Sequence, residues 1–170
     1  YDDPRFDGDR DALLCSMAEH GVRAIMNVGN TTGANLAGIE LARRYDFIYC
    51  SIGIHPDQSA EIAAQHSREY LDLMAQQLSY EKAMALGEIG LDYHYDGTDE
   101  AAQKRAFAAQ LELAYALKLP FCVHSRDAAA DTLRILKDNR GKLPYGGVMH
   151  CFSGSPETAK EYLKLGLYIS

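Results

Sequence analysis

A chain of 170 residues with 47% hydrophobic side chains is long enough for one domain with a real core, and nothing in it reads as a linker. Its 24 acidic against 17 basic side chains, a formal net charge of -7, disfavour a broad electrostatic grip on a phosphate backbone; any nucleic acid would have to be held locally, by metal ions and a few cations. No stretch approaches the roughly 18 apolar residues of a membrane span, no signal segment is present, and Cys15, Cys50, Cys122 and Cys151 show no Cys-x-x-Cys spacing. The expectation is a soluble cytoplasmic protein with small buried thiols, no membrane contact and no obligate protein partner.

In chain order, Leu13, Leu14, Met17 and Ala18 follow helical spacing between Asp7 and Glu19, with Gly21 as the C-terminal stop. Val22 to Gly29 reads as a strand, broken by Thr31, Thr32 and Gly33 before Leu36, Ile39 and Ala42 resume helical spacing as far as Tyr45. Phe47 to Ile54 is the next strand. Pro56 holds His55 extended at its exit, and a polar loop follows. Ser67 can cap a helix carrying Tyr70, Leu71, Met74 and Leu78, and Ala83 to Glu88 forms the third strand, turning away at Gly90. Ala101 to Lys118 is the longest helical pattern, after which Pro120 opens a strand ending at His124. Asp127 to Lys137 reads as a helix and Gly146 to Cys151 as a strand. Ser155-Pro156 starts a helix that Gly166 stops before a last strand at Leu167.

Six largely apolar strands alternating with helices describe an α/β fold with a parallel sheet buried on both faces. An open doubly wound sheet fits the same alternation, but its site gathers at one switch point fed by few strand ends. Here four strands end in distinctive residues, His55, Glu88, His124 and His150, which a TIM-type (β/α) barrel explains better. A whole barrel takes about 250 residues and eight strands, so the chain is expected to be a single, incomplete barrel domain over 1–170. It begins at Tyr1 without Met and stops within a strand-like run, as a cut piece would.

A carboxylate facing imidazoles at the edge of a buried sheet is costly unless a cation joins them, which makes Glu88, His124 and His150 candidate metal ligands. Tyr93-His94-Tyr95 can line a substrate groove or be an exposed aromatic loop. Arg126 can reach a phosphate, or pair with Asp127 or Asp92. Ser153-Gly154-Ser155 suits an anion or serves as an ordinary helix cap. His20 and His66 read as a helix-end residue and a loop residue, solvated or capping.

Gly53-Ile54-His55-Pro56, Gly87-Glu88-Ile89-Gly90-Leu91-Asp92-Tyr93, His124-Ser125-Arg126 and His150-Cys151-Phe152-Ser153-Gly154 resemble, in order and spacing, the TatD family of metal-dependent deoxyribonucleases. The resemblance covers essentially the whole chain. It implies a TIM barrel of the amidohydrolase kind, two divalent ions (Mg, Mn or Zn) bridged by Glu88, and His124 and His150 on the second ion. It places His55 beside the site and Arg126 at a phosphate of the substrate, DNA or possibly RNA, whose phosphodiester bonds are hydrolysed; Tyr93, from the aromatic stretch, is the further candidate for substrate binding. Glu88 and Asp92 are the candidate catalytic residues, with Asp92 fixing an imidazole ring. Two motifs of the pattern are absent, a His-x-His pair that would precede Tyr1 and a Thr-Asp pair that would follow Ser170, so one ion or none is expected here. Rival expectations are a metallohydrolase of carboxylic esters or amides, aminoacyl esters included, and a truncated form without catalysis.

Overall fold

The computed structural model describes residues 1–63 and 67–170; His66 lies outside them. Six strands, β1 (Ile25–Val28), β2 (Ile48–Ile52), β3 (Ala83–Asp92), β4 (Phe121–Arg126), β5 (Gly147–Met149) and β6 (Leu167–Ile169), form one sheet in the order β1-β2-β3-β4-β5-β6. Every neighbouring pair is parallel. Between them run α1 (Arg10–Ser16, ahead of β1), α2 (Thr32–Arg44), α3 (Ala60–Ala63), α4 (Ser67–Gln77), α5 (Glu100–Leu117), α6 (Ala129–Asp138) and α7 (Pro156–Lys164). A doubly wound sheet reverses its strand order at a switch point. This order never reverses, which is how the strands of a (β/α) barrel follow one another.

The helix ends follow local chemistry. Thr31 Oγ1 accepts the Ala34 amide at 3.1 Å and caps α2, so Thr32 and Gly33 of the expected break are already the first residues of the helix. Ser155 caps α7 with Pro156 in the first turn, as expected, and accepts the Thr158 amide. The first helix stops at Ser16, short of the expected Glu19, because the chain tightens there into i to i+3 hydrogen bonds that run to Gly21 at φ +80°. The polar loop after His55 holds a 3-10 turn (Pro56–Gln58) and α3, pieces too short to leave a periodicity.

The largest departure concerns β3. It does not end at Glu88 but runs on to Asp92, pairing Gly90 with His124 and Asp92 with Arg126. Gly90 is a strand residue at φ +142°, where a Cβ would lie 2.0 Å from the His124 carbonyl oxygen. Only glycine lets the two backbones approach this closely.

Ile48, Ile52, Leu86, Ile89, Leu91 and Val123 are fully buried, with Phe107 and Leu111 of α5 in the same core. Each such side chain stabilises the fold by about 1.5–3 kcal/mol. The expectation of burial on both faces holds only in part. Met26 and Met84 are 45% exposed and Tyr168 75%, and an apolar hollow of about 510 Å³ is lined by strand and loop residues including Val28, Ala85, Cys122 and Val148. Burial on both faces holds in the middle of the sheet, where Cys50, Ser51 and Ile52 are all buried, and is lost towards β1 and β6, its two edges.

Candidate metal centre

The C-terminal side of the central strands brings together His55, just past β2, Glu88 in β3 and His124 in β4. Each offers a ligand atom within 4.8 Å of the others, and all three are half-buried. Glu88 sits where the β3–β4 register shifts, between Leu86 and Ile89. The Gly53 and Gly87 backbones are in contact beside it, a Cβ on Gly53 falling 2.4 Å from the Gly87 carbonyl carbon.

Hydrogen bonds fix which ring nitrogens are available. His124 Nε2 donates to Asp92 Oδ2 at 2.9 Å, and Asp92 Oδ1 accepts the His94 amide at 3.0 Å, so a carboxylate that is only 4% exposed locks the ring. That leaves His124 Nδ1 facing Glu88 Oε1 at 3.3 Å. Two acceptors cannot face each other without a proton or a cation between them. His55 Nδ1 donates to Asp57 Oδ1 at 2.7 Å, freeing its Nε2, and its ring packs edge-on against His124 with centroids 4.3 Å apart.

Charge follows this geometry. Burial disfavours a charged His124, yet the hydrogen bonds and charges of Glu88 and Asp92 outweigh it and raise the imidazole above its ordinary pKa. Burial likewise pushes Glu88 up, but the His124 hydrogen bond and the charges of His124, His55 and His150 pull it below the usual carboxylate value. Asp92 is also lowered, its burial overcome by the His94 amide and by His124. The donor set of one carboxylate and two imidazoles suits a divalent transition-metal ion, and the 3.3 Å between Nδ1 and Oε1 can be spanned by two bonds of about 2.0–2.2 Å. These residues fit a metal.

The other expected site residues lie around this group of three and not within it. His150 follows β5 outside the group of three, its Nε2 3.4 Å from Cys151 Sγ, while Cys151 takes a left-handed φ of +47°. Tyr93 is committed to structure: its hydroxyl donates to Asp131 at 2.9 Å and Lys104 Nζ lies over its ring. Arg126 pairs with neither Asp92 nor Asp127 among the described residues; its guanidinium stands over the Tyr95 ring at 5.7 Å, and Asp127 takes His94 Nδ1. His20 is exposed and bonded to the Ser16 carbonyl. The sequence reading missed Asp57 as the partner of His55. The adjacency His55-Pro56-Asp57, with proline forcing the turn, was the signal for it.

A family model described as TatD related DNase matches residues 1–170. The chain belongs to the TatD family. Among curated relatives of this TatD chain, the metal-dependent hydrolase YabD of Bacillus subtilis, named as uncharacterized, is 36% identical over 166 residues, covering 98% of this chain and 63% of the relative. TatD of Escherichia coli K12, named a 3'-5' ssDNA/RNA exonuclease, is 32% identical over 165 residues, 97% of this chain and 62% of the relative. The crystal structure of the TatD homolog YJJV from E. coli K12 superposes with a TM-score of 0.87 at 32% identity, over 99% of this chain and 63% of that one. A TatD family hydrolase from Entamoeba histolytica gives 0.82 at 26% identity, over 95% and 55%. The chain thus spans about three fifths of the length of the curated relatives it matches. Like these structural neighbours it has the α/β fold of a TIM-type barrel, and no described helix is long and apolar enough to cross a membrane.

Proposed function

We propose that the polypeptide is a divalent-metal-dependent hydrolase of phosphodiester bonds, acting on single-stranded DNA or RNA from an end. The observation that carries this reading is the pairing of His124 Nδ1 with Glu88 Oε1 at 3.3 Å, beside His55 and braced by Asp92. Family membership and the exonuclease name of the E. coli relative support the substrate.

His55, Glu88 and His124 would hold one ion, and a second ion would use His150 with residues from outside this chain. When bound, divalent ions supply positive charge that stabilises the phosphoryl transition state and acidifies water. Asp92 holds the His124 ring and its tautomer, and Asp57 does the same for His55. Arg126, exposed and unpaired by any carboxylate among the described residues, supplies a cation to a substrate phosphate two residues beyond His124. In the same reading the protein is cytoplasmic, and the six strands are part of an eight-stranded barrel whose further strands close on the open edges of β1 and β6; the relatives' greater length supports this.

Release of nucleotides from an end-labelled single-stranded DNA, with Mn, with Mg and with EDTA, tests the reading beside the Glu88→Gln variant. Metal-dependent release lost in the variant is the expected result. A folded, metal-loaded chain that cleaves small carboxylic esters or amides but no nucleic acid would replace it with the ester or amide reading.

A further inference from the structure

Next to the metal centre lies a cavity of about 460 Å³ between the turn after β2 and the loop that joins β3 to α5. It shares two residues with the centre's supports, since Asp57 and Asp92 line it and hold His55 and His124. Two properties set it apart. Tyr95, 61% exposed, forms part of its wall, with the Arg126 guanidinium over the ring at 5.7 Å and His94 edge-to-face at 5.1 Å. The described lining contains no Lys or Arg but four aspartates, Asp57, Asp92, Asp96 and Asp99. Of these, Asp96 has no hydrogen-bonding or ionic partner among the described residues.

Such a wall repels phosphate. It welcomes a flat group that stacks on an aromatic ring and presents N–H donors to carboxylates. Arg126 stands over that ring without lining the cavity, so a phosphate can be met beside it while the attached base enters the cavity.

The geometry points to this cavity as the subsite for the terminal base of the nucleic-acid strand, with Tyr95 as stacking platform and the aspartate wall favouring bases that carry an exocyclic amino group. Adenine, cytosine and guanine each have that amino group. Thymine offers a single ring N–H flanked by two carbonyls, which the carboxylates oppose. The inference rests on the nuclease reading and adds to it a base preference and the residues that set it.

The test uses short single-stranded DNAs of one sequence that differ only in the 3'-terminal base, one of them ending in 2-aminopurine, which is fluorescent, carries an amino group and is quenched on stacking. With Ca in place of Mn to slow turnover, the 2-aminopurine signal should fall on binding to the chain and to Tyr95→Phe but not to Tyr95→Ala. Affinity for strands ending in adenine should drop roughly tenfold or more in Tyr95→Ala. Strands ending in thymine should bind several-fold more weakly than the others, and Asp96→Asn should narrow that gap. Strands that bind and are cleaved equally well whatever their last base, with no effect of Tyr95→Ala, would overturn the subsite and leave the nuclease reading intact. Absence of binding and cleavage for every DNA by a folded, metal-loaded chain would overturn the nuclease reading and the subsite with it.

Discussion

β4 and the turn after β5 each present a histidine: His124 lies within β4, which runs on to Arg126 instead of ending at His124 as expected, and His150 just follows β5. The surroundings of the two differ. At β4, His124 is held by Asp92, faces Glu88 and packs on His55, so its free nitrogen has a fixed direction. At β5, His150 has a neighbouring thiol and a backbone turned to a left-handed φ at Cys151. A strand-end imidazole becomes a defined ligand through the carboxylates that neighbouring strands set around it. Those carboxylates come from β3, the longest strand, whose extension through Gly90 to Asp92 aligns both Glu88 and Asp92 with β4.

The sharpest way to break the contrast is to remove the anionic ligand. Glu88→Gln should weaken Mn or Zn binding by more than about a hundredfold in calorimetric titration, since an amide neither neutralises the ion nor replaces a carboxylate. Asp92→Asn leaves the ligand atoms in place but loosens the His124 ring and its tautomer. The expected loss is about ten- to a hundredfold in metal affinity, the range for groups that orient a ligand.

Gly90→Ala tests the strand that builds the site. Its Cβ would meet the His124 carbonyl oxygen at 2.0 Å, so β3 and β4 must part, at a cost of about 1–3 kcal/mol or more in denaturant unfolding. Acidification sharpens the same comparison. Because Glu88 and Asp92 raise the pKa of His124, its proton competes with the ion at a higher pH than an ordinary imidazole would, and metal affinity should begin to fall there as pH is lowered.

Without metal the site's groups act in opposite directions with pH. The raised His124 stabilises the fold at low pH and loses that contribution as pH rises through its folded pKa. The lowered Glu88 and Asp92 lose theirs as pH falls through their own values. Thermal melts of the metal-free chain should therefore show the site's contribution greatest between those limits, and saturating Mn should abolish the loss on the alkaline side. The smallest effect belongs to β5: His150→Ala should change the affinity of the first ion by less than about threefold, and a larger drop would show that His150 turns into the cluster when the ion binds.

Much of this molecule was written locally in the chain. Helical spacing, the Ser155-Pro156 start and the alternation of apolar strands with helices placed the elements in order, because each depends on contacts within a few residues. The four motifs also singled out Glu88 and His124, which the structure brings within 3.3 Å of each other. What the sequence could not show is which of its strand-end residues meet. Gly90 reads as a bend until β4 is beside it, and then it is the strand residue that lets Asp92 reach His124. Tyr93 and Tyr95 look equivalent in sequence, yet Asp131, 38 residues further on, claims Tyr93 and leaves Tyr95 exposed beside Arg126. Strands that look apolar throughout still leave Met26, Met84 and Tyr168 exposed, since cover depends on how the sheet curves and which elements lie over it. Local periodicity determines the elements, whereas register between distant strands decides which side chains share a site, and register exists only once the sheet has assembled.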